Sequence, residues 1–225
     1  MQILAVSLAA VSLAGSAFAS QSDKRGFVYV PNPAFPSDDK IWSKAGSGLT
    51  WYYNYGSMPS DTYSSVPQSQ LEFVPMMWGA ANDETGFLNN VTKLISSGRK
   101  ITHALAFNEP DGPYEWGGSN MAPGEAARYW IDNFLPLRKL GVKISLPVMM
   151  GAQPEPSAWI LPFLGNCSRL LTEDNGGTPS NCTFDFVPVH AYGAFGDLLG
   201  KISIFTQTYV PYLCSYNSLW PALIC

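Results

Sequence analysis

Charge is scarce in this 225-residue chain: Asp, Glu, Lys and Arg make up 13% of it, about half the usual share. Net charge is −4 and no basic run occurs, which removes the electrostatic footprint that nucleic-acid binding needs. Histidine is limited to His103 and His190, and none of the four cysteines (Cys167, Cys182, Cys214, Cys225) lies in a C-x-x-C pair, so no metal site is expected. Neither G-x-G-x-x-G after the first apolar run nor G-x-x-x-x-G-K-[ST] occurs, and G-x-S-x-G is absent. Dinucleotide, P-loop and serine-hydrolase chemistries lose support with them, and no cofactor is expected. Beyond residue 19 no apolar run is long enough to span a bilayer.

What is present begins with MQILAVSLAAVSLAGSAFA (1–19), uncharged and ending in Ala17-Phe18-Ala19. An apolar stretch closed by small-x-small reads as a secretory signal peptide, leaving 20–225 as one domain of a secreted, monomeric protein. Three N-x-S/T sequons, at Asn90, Asn166 and Asn181, offer glycosylation sites that agree with export. Cys167 and Cys182 bracket a loop rich in Gly, Asn and Ser, and a disulfide closing it in an oxidising compartment is worth about 3 kcal/mol on the chain-entropy model.

Short apolar, β-rich runs recur along the chain: 26–30, 49–55, 73–78, 103–110, 142–149 and 184–192. Near-continuous apolar strands indicate a parallel sheet buried on both faces. Helical patterns fall between several of them, above all over 122–141, with Pro near its start and Gly141 at its end, and over 83–98, ending in Gly98. Repeated strand–helix units leave a doubly wound sheet or a (β/α)8 barrel. Trp78, Asn108, Glu109, His190 and Tyr192 all fall at C-terminal strand ends, which converge on the mouth of a barrel, so the barrel is favoured.

Within HALAFNEPDG (103–112), Asn108-Glu109-Pro110-Asp111 ends an apolar strand. As an isolated tripeptide Asn-Glu-Pro reads as a strand-ending turn. Here Asn108 supplies an amide suited to a sugar hydroxyl, and Trp51, Tyr53, Trp78 and Tyr192 supply flat surfaces on which a pyranose stacks. His103 and Asp185 each start a strand and read as structural; Asp111 reads first as a turn former, although it falls at the mouth. Glu115 and Glu155 lie in loops on the same side.

AFNEPDG, followed by SNMAPGEAARYW and FDFVPVHAYG, resembles the fungal glycosyl hydrolase catalytic-core family of the alkali-sensitive linkage protein type, from about Gly26 to about Tyr209. The resemblance implies a (β/α)8 (TIM-barrel) fold and a retaining endo-β-1,3-glucanase acting on β-glucan of the fungal cell wall. It makes Glu109 the general acid/base and Asn108 the ligand of the reacting sugar's 2-hydroxyl. His190 and Tyr192 line the central subsites, and Trp51 and Trp78 are aromatic platforms. Such a mechanism needs a second carboxylate as nucleophile, roughly 5 Å from the first. The family's W-x-T-E-[FY]-A stretch, which carries it, does not occur here, and residues 202–225 contain no carboxylate. With about six of eight βα units present, the sequence implies a truncated or aberrant domain from about residue 210. The alternative function is a non-catalytic glucan-binding protein or an inactive product lacking the nucleophile.

Overall fold

The computed structural model describes residues 24–44, 46–80, 86–150 and 157–209. The expected signal peptide at 1–19, Glu155, Cys214 and Cys225 lie outside the described residues. The elements run β1 (Gly26–Val28), α1 (Asp39–Trp42), β2 (Trp51–Tyr53), β3 (Glu72–Phe73), α2 (Gly86–Ser96), β4 (His103–Ala104), α3 (Pro123–Lys139), β5 (Lys143–Ile144), α4 (Ser157–Asp174) and α5 (Phe195–Tyr209).

All strand pairing is parallel and follows chain order. β1 pairs with β2, and β2 with β3, with Gly26, Trp51 and Glu72 in one register. A bridge between Met76 and Leu105 leads on to β4, which pairs with β5, and a bridge between Ser145 and Phe186 adds the last extended segment. The result is a mixed α/β arrangement of six consecutive parallel segments. Among the described residues no pairing joins the segment around Phe186 back to β1, so the ring expected of a (β/α)8 barrel is not closed there. The ladders are also shorter than the apolar runs that announce them. Pro75, Pro147 and Pro188 fall inside those runs, and each removes a backbone donor and interrupts regular pairing.

Alternation along the strands sorts their side chains into two cores. Trp51, Tyr53, Val74, Met76, Leu105, Val148 and Phe186 form an inner cluster. Tyr52, Phe73, Ala104, Ala106, Phe107, Ile144, Leu146 and Phe184 point the other way, into a larger cluster shared with the helices. In α3 that layer is supplied by Ala126, Ala127, Trp130, Ile131, Phe134 and Leu137 on one face. Pro123 occupies the helix start, where no donor is missed, and Gly141, at φ 86°, turns the chain into β5. α4 packs along α3 and carries Cys167, which is disulfide-bonded to Cys182. Among the described residues no helix is long and apolar enough to cross a membrane.

The sequon asparagines differ in setting. Asn181 is exposed; Asn90 of α2 donates to Ser57 Oγ at 2.9 Å; Asn166 of α4 donates to the Pro162 carbonyl at 2.8 Å.

Polar clasps hold the strand starts. Asp185 Oδ2 accepts from the Ile144 N–H at 2.9 Å and from Arg138 Nε at 3.2 Å, while Arg138 also donates to Thr183 Oγ1 and its carbonyl. Glu72 accepts from Thr102 Oγ1, whose hydroxyl also contacts His103 Nδ1. Burial pushes the Glu72 carboxyl up, but the hydrogen bonds and charge of His103 and Thr102 outweigh it and hold the carboxyl below its usual range. Asp185→Ala deprives a strand N–H and a guanidinium of their acceptor and is expected to destabilise the fold by about 2–3 kcal/mol in urea unfolding. A loss below about 0.5 kcal/mol would show that the clasp is dispensable.

Candidate functional site: a buried carboxylate at the strand ends

The apolar run of β4 ends at Phe107, and the next two residues turn polar without leaving the core: Asn108 and Glu109 are both buried, Glu109 at 7% exposure. Backbone bonds fix them between neighbours on both sides. The Asn108 N–H donates to the Trp78 carbonyl (2.9 Å), and the Glu109 N–H donates to the Val148 carbonyl (2.8 Å). Glu109 then adopts φ 45°, a left-handed conformation that costs a residue with a Cβ on the order of 1–3 kcal/mol. The loop that follows holds it there. The Glu109 carbonyl accepts from Gly112 N–H and Ser119 N–H, and the Asn108 carbonyl accepts from Ser119 N–H as well. Close approach makes glycine necessary at 118, because a Cβ there would stand 2.3 Å from the Gly112 oxygen.

A buried carboxylate requires a partner. His190, 81 residues further along the chain, provides it: Nδ1 lies 2.6 Å from Glu109 Oε1, and both side chains are almost wholly enclosed. A contact this short holds the carboxyl in one orientation beside the imidazole. Beside it, Asn108 Nδ2 donates to the Gly117 carbonyl at 3.0 Å, which orients the amide. Its Oδ1 is buried and finds no hydrogen-bond partner among the described residues, as does the Ser119 hydroxyl. An oriented acceptor next to a buried carboxyl is suited to a ligand hydroxyl.

The other residues singled out from the sequence are distributed unevenly. Trp78 reaches the same rim through its backbone bond to Asn108, and Tyr192, 74% exposed, meets His190 edge-on with ring centroids 6.2 Å apart. Trp51 lies opposite Gly26 and Glu72, at the strand starts rather than the rim. It is 8% exposed, with its indole against the Gly26 backbone. Tyr53 is buried in the inner cluster. Tyr114 and Trp116 escaped the sequence reading although both flank Glu115; their signal is the stretch PYEWGG, aromatic and glycine-bounded, directly after the Asn-Glu-Pro turn.

Asp111 Oδ1 accepts from the Met150 N–H at 2.9 Å, tying the Glu109 loop to the end of the β5 segment. Burial pushes the Asp111 carboxyl above its usual range, and the nearby charge of Glu109 adds to this, against the opposing Met150 bond and His190. A carboxyl raised in the folded state contributes stability that is complete below its unfolded pKa and is lost as pH rises through the folded value. Asp111→Asn keeps an oxygen acceptor but cannot ionise. Its stability relative to the parent should therefore increase from about pH 3 to about pH 7 in thermal unfolding. A parent that gains on the variant over that range would contradict the assignment.

The sequence matches the glycosyl hydrolase catalytic core family over residues 26–220. It is 27% identical over 201 residues to Alkali-sensitive linkage protein 1 of Schizosaccharomyces pombe, a match covering 88% of this chain and 30% of that protein. The structure is similar to a GH128 subgroup II endo-β-1,3-glucanase from Pseudomonas viridiflava (TM-score 0.57, 26% identity, 81% of this chain and 66% of that one). It is also similar to a GH128 subgroup III curdlan-specific exo-β-1,3-glucanase from Blastomyces gilchristii, solved with glucose (TM-score 0.58, 25% identity, 83% of this chain and 68% of that one). The chain thus spans less than a third of the curated relative's length and about two thirds of either solved structure. With the match enclosing every strand and the Glu109–His190 contact, the chain belongs to the glycosyl hydrolase catalytic core family.

Proposed function

We propose that this chain carries the acid/base half of a secreted glycoside hydrolase site for β-1,3-glucan of the cell wall, working by retaining double displacement. The observation that carries the reading is the buried Glu109 carboxyl, 2.6 Å from His190 and beside Asn108 Oδ1, which has no hydrogen-bond partner among the described residues, in a chain similar to solved β-1,3-glucanases. Protonated Glu109 donates to the glycosidic oxygen as the bond to the anomeric carbon breaks, and His190 holds the carboxyl in line for that transfer. Asn108 Oδ1 accepts from the 2-hydroxyl of the reacting sugar, an interaction that strengthens as positive charge develops on the ring. The glycosyl group passes from the leaving oxygen to the second carboxylate that the other half of such a site supplies, and the Glu109 carboxylate then takes a proton from the water that displaces it.

A second reading, glucan binding without hydrolysis, is favoured by the absence of a W-x-T-E-[FY]-A stretch from the sequence. Release of reducing ends from laminarin separates the two. For the hydrolase, Glu109→Gln keeps the side chain's size and removes its proton, and hydrolysis should fall at least ~10²-fold. Hydrolysis unaffected by Glu109→Gln overturns the acid/base assignment. A parent protein that binds laminarihexaose and releases no reducing ends establishes the binding reading instead.

A further inference from the structure

The turn after Glu109 displays two large rings to solvent. Residues Tyr114–Trp116 form a single 3-10 turn in which Tyr114 is 59% and Trp116 67% exposed. Tyr114 stacks on Trp78, with ring centroids 6.1 Å apart and planes inclined by 27°. The stack and the turn are both fastened to the same residue: the Trp78 carbonyl accepts from Asn108 N–H, and the Gly117 carbonyl accepts from Asn108 Nδ2. The turn is also stiff. Gly117 closes it at φ 85°, the Gly118 N–H returns to the Pro113 carbonyl, and Gly118 is pressed against Gly112. Aromatic rings on a pre-ordered turn give up little conformational freedom on binding, which makes them efficient contact surfaces.

We infer that Tyr114 and Trp116, buttressed by Trp78, form an aromatic platform for glucose units of a β-1,3-glucan chain outside the bond held at Glu109. The inference rests on the proposed glucan site and adds the residues that grip a longer chain. Glucan is favoured as occupant by continuity: the turn is fixed to the Asn108 amide whose free oxygen faces the reacting sugar in that reading. Exposed rings that stack on the apolar C–H face of a pyranose gain more from each added sugar than from the first. The platform therefore distinguishes polysaccharide from short fragments.

Calorimetric titration of the full chain with laminarihexaose and with laminaribiose tests this. The double variant Tyr114→Ala, Trp116→Ala should bind laminarihexaose about tenfold more weakly, while laminaribiose binding changes less than about twofold. Both rings are exposed, so unfolding temperature should stay that of the parent. Tyr114→Phe, which keeps the ring, should bind the hexaose like the parent. Hexaose affinity within about twofold of the parent in the double variant, with binding abolished by Asn108→Ala, overturns the platform and leaves the glucan site standing. A parent that binds no β-1,3-glucan overturns the site and the platform together.

Discussion

A buried carboxylate cannot stand alone, and the Glu109–His190 contact of 2.6 Å satisfies that demand by joining the end of β4 to the last extended segment of the sheet. Much of the surrounding structure serves this contact. Each parallel neighbour contributes one backbone bond to hold the strand ends level: Trp78 receives Asn108 on one side, and Val148 receives Glu109 on the other. The left-handed turn at Glu109 aims its side chain, and the bonds from Gly112 and Ser119 keep that strained conformation populated. Displacing any of these moves the carboxyl relative to Asn108.

The two ends of the sheet differ in how their buried polar groups are bonded. At the strand starts, Glu72 with Thr102 and His103, and Asp185 with Arg138 and Thr183, form polar clusters bonded within the fold. At the strand ends, Asn108 Oδ1 and Ser119 Oγ are buried and find no hydrogen-bond partner among the described residues. Native folds seldom leave such atoms unpaired, and an acceptor of this kind next to a buried carboxyl is suited to a ligand hydroxyl. The same division explains why one histidine, His103, packs at the stable end against Phe186, and the other, His190, faces the carboxyl.

Much of this was legible in the sequence, and the rest was hidden for identifiable reasons. The apolar runs located all six extended segments, and their buried faces follow from near-continuous hydrophobicity. α2 and α3 stood out through periodicity, with Gly98 and Gly141 marking their ends. α4 was not singled out, because Pro162 interrupts its pattern and the residues after Cys167 were read as a loop bracketed by Cys167 and Cys182. Ring closure was an expectation from the polar residues at the strand ends and from the resemblance, and neither fixes whether the first and last segments pair. Trp51 was read as a stacking platform because a short run does not reveal where its register falls; the pairing with Gly26 and Glu72 sets it at the strand starts, away from the rim. The Glu109–His190 contact needed the fold itself, since nothing local connects positions 81 residues apart.

The most direct test is a crystal structure of the Glu109→Gln variant with laminaritriose. The account predicts a sugar hydroxyl within about 2.6–3.2 Å of Asn108 Oδ1 and a glycosidic oxygen within the same reach of the side chain at position 109. A trisaccharide seated elsewhere on the molecule, with Asn108 Oδ1 and position 109 both uncontacted, would contradict it.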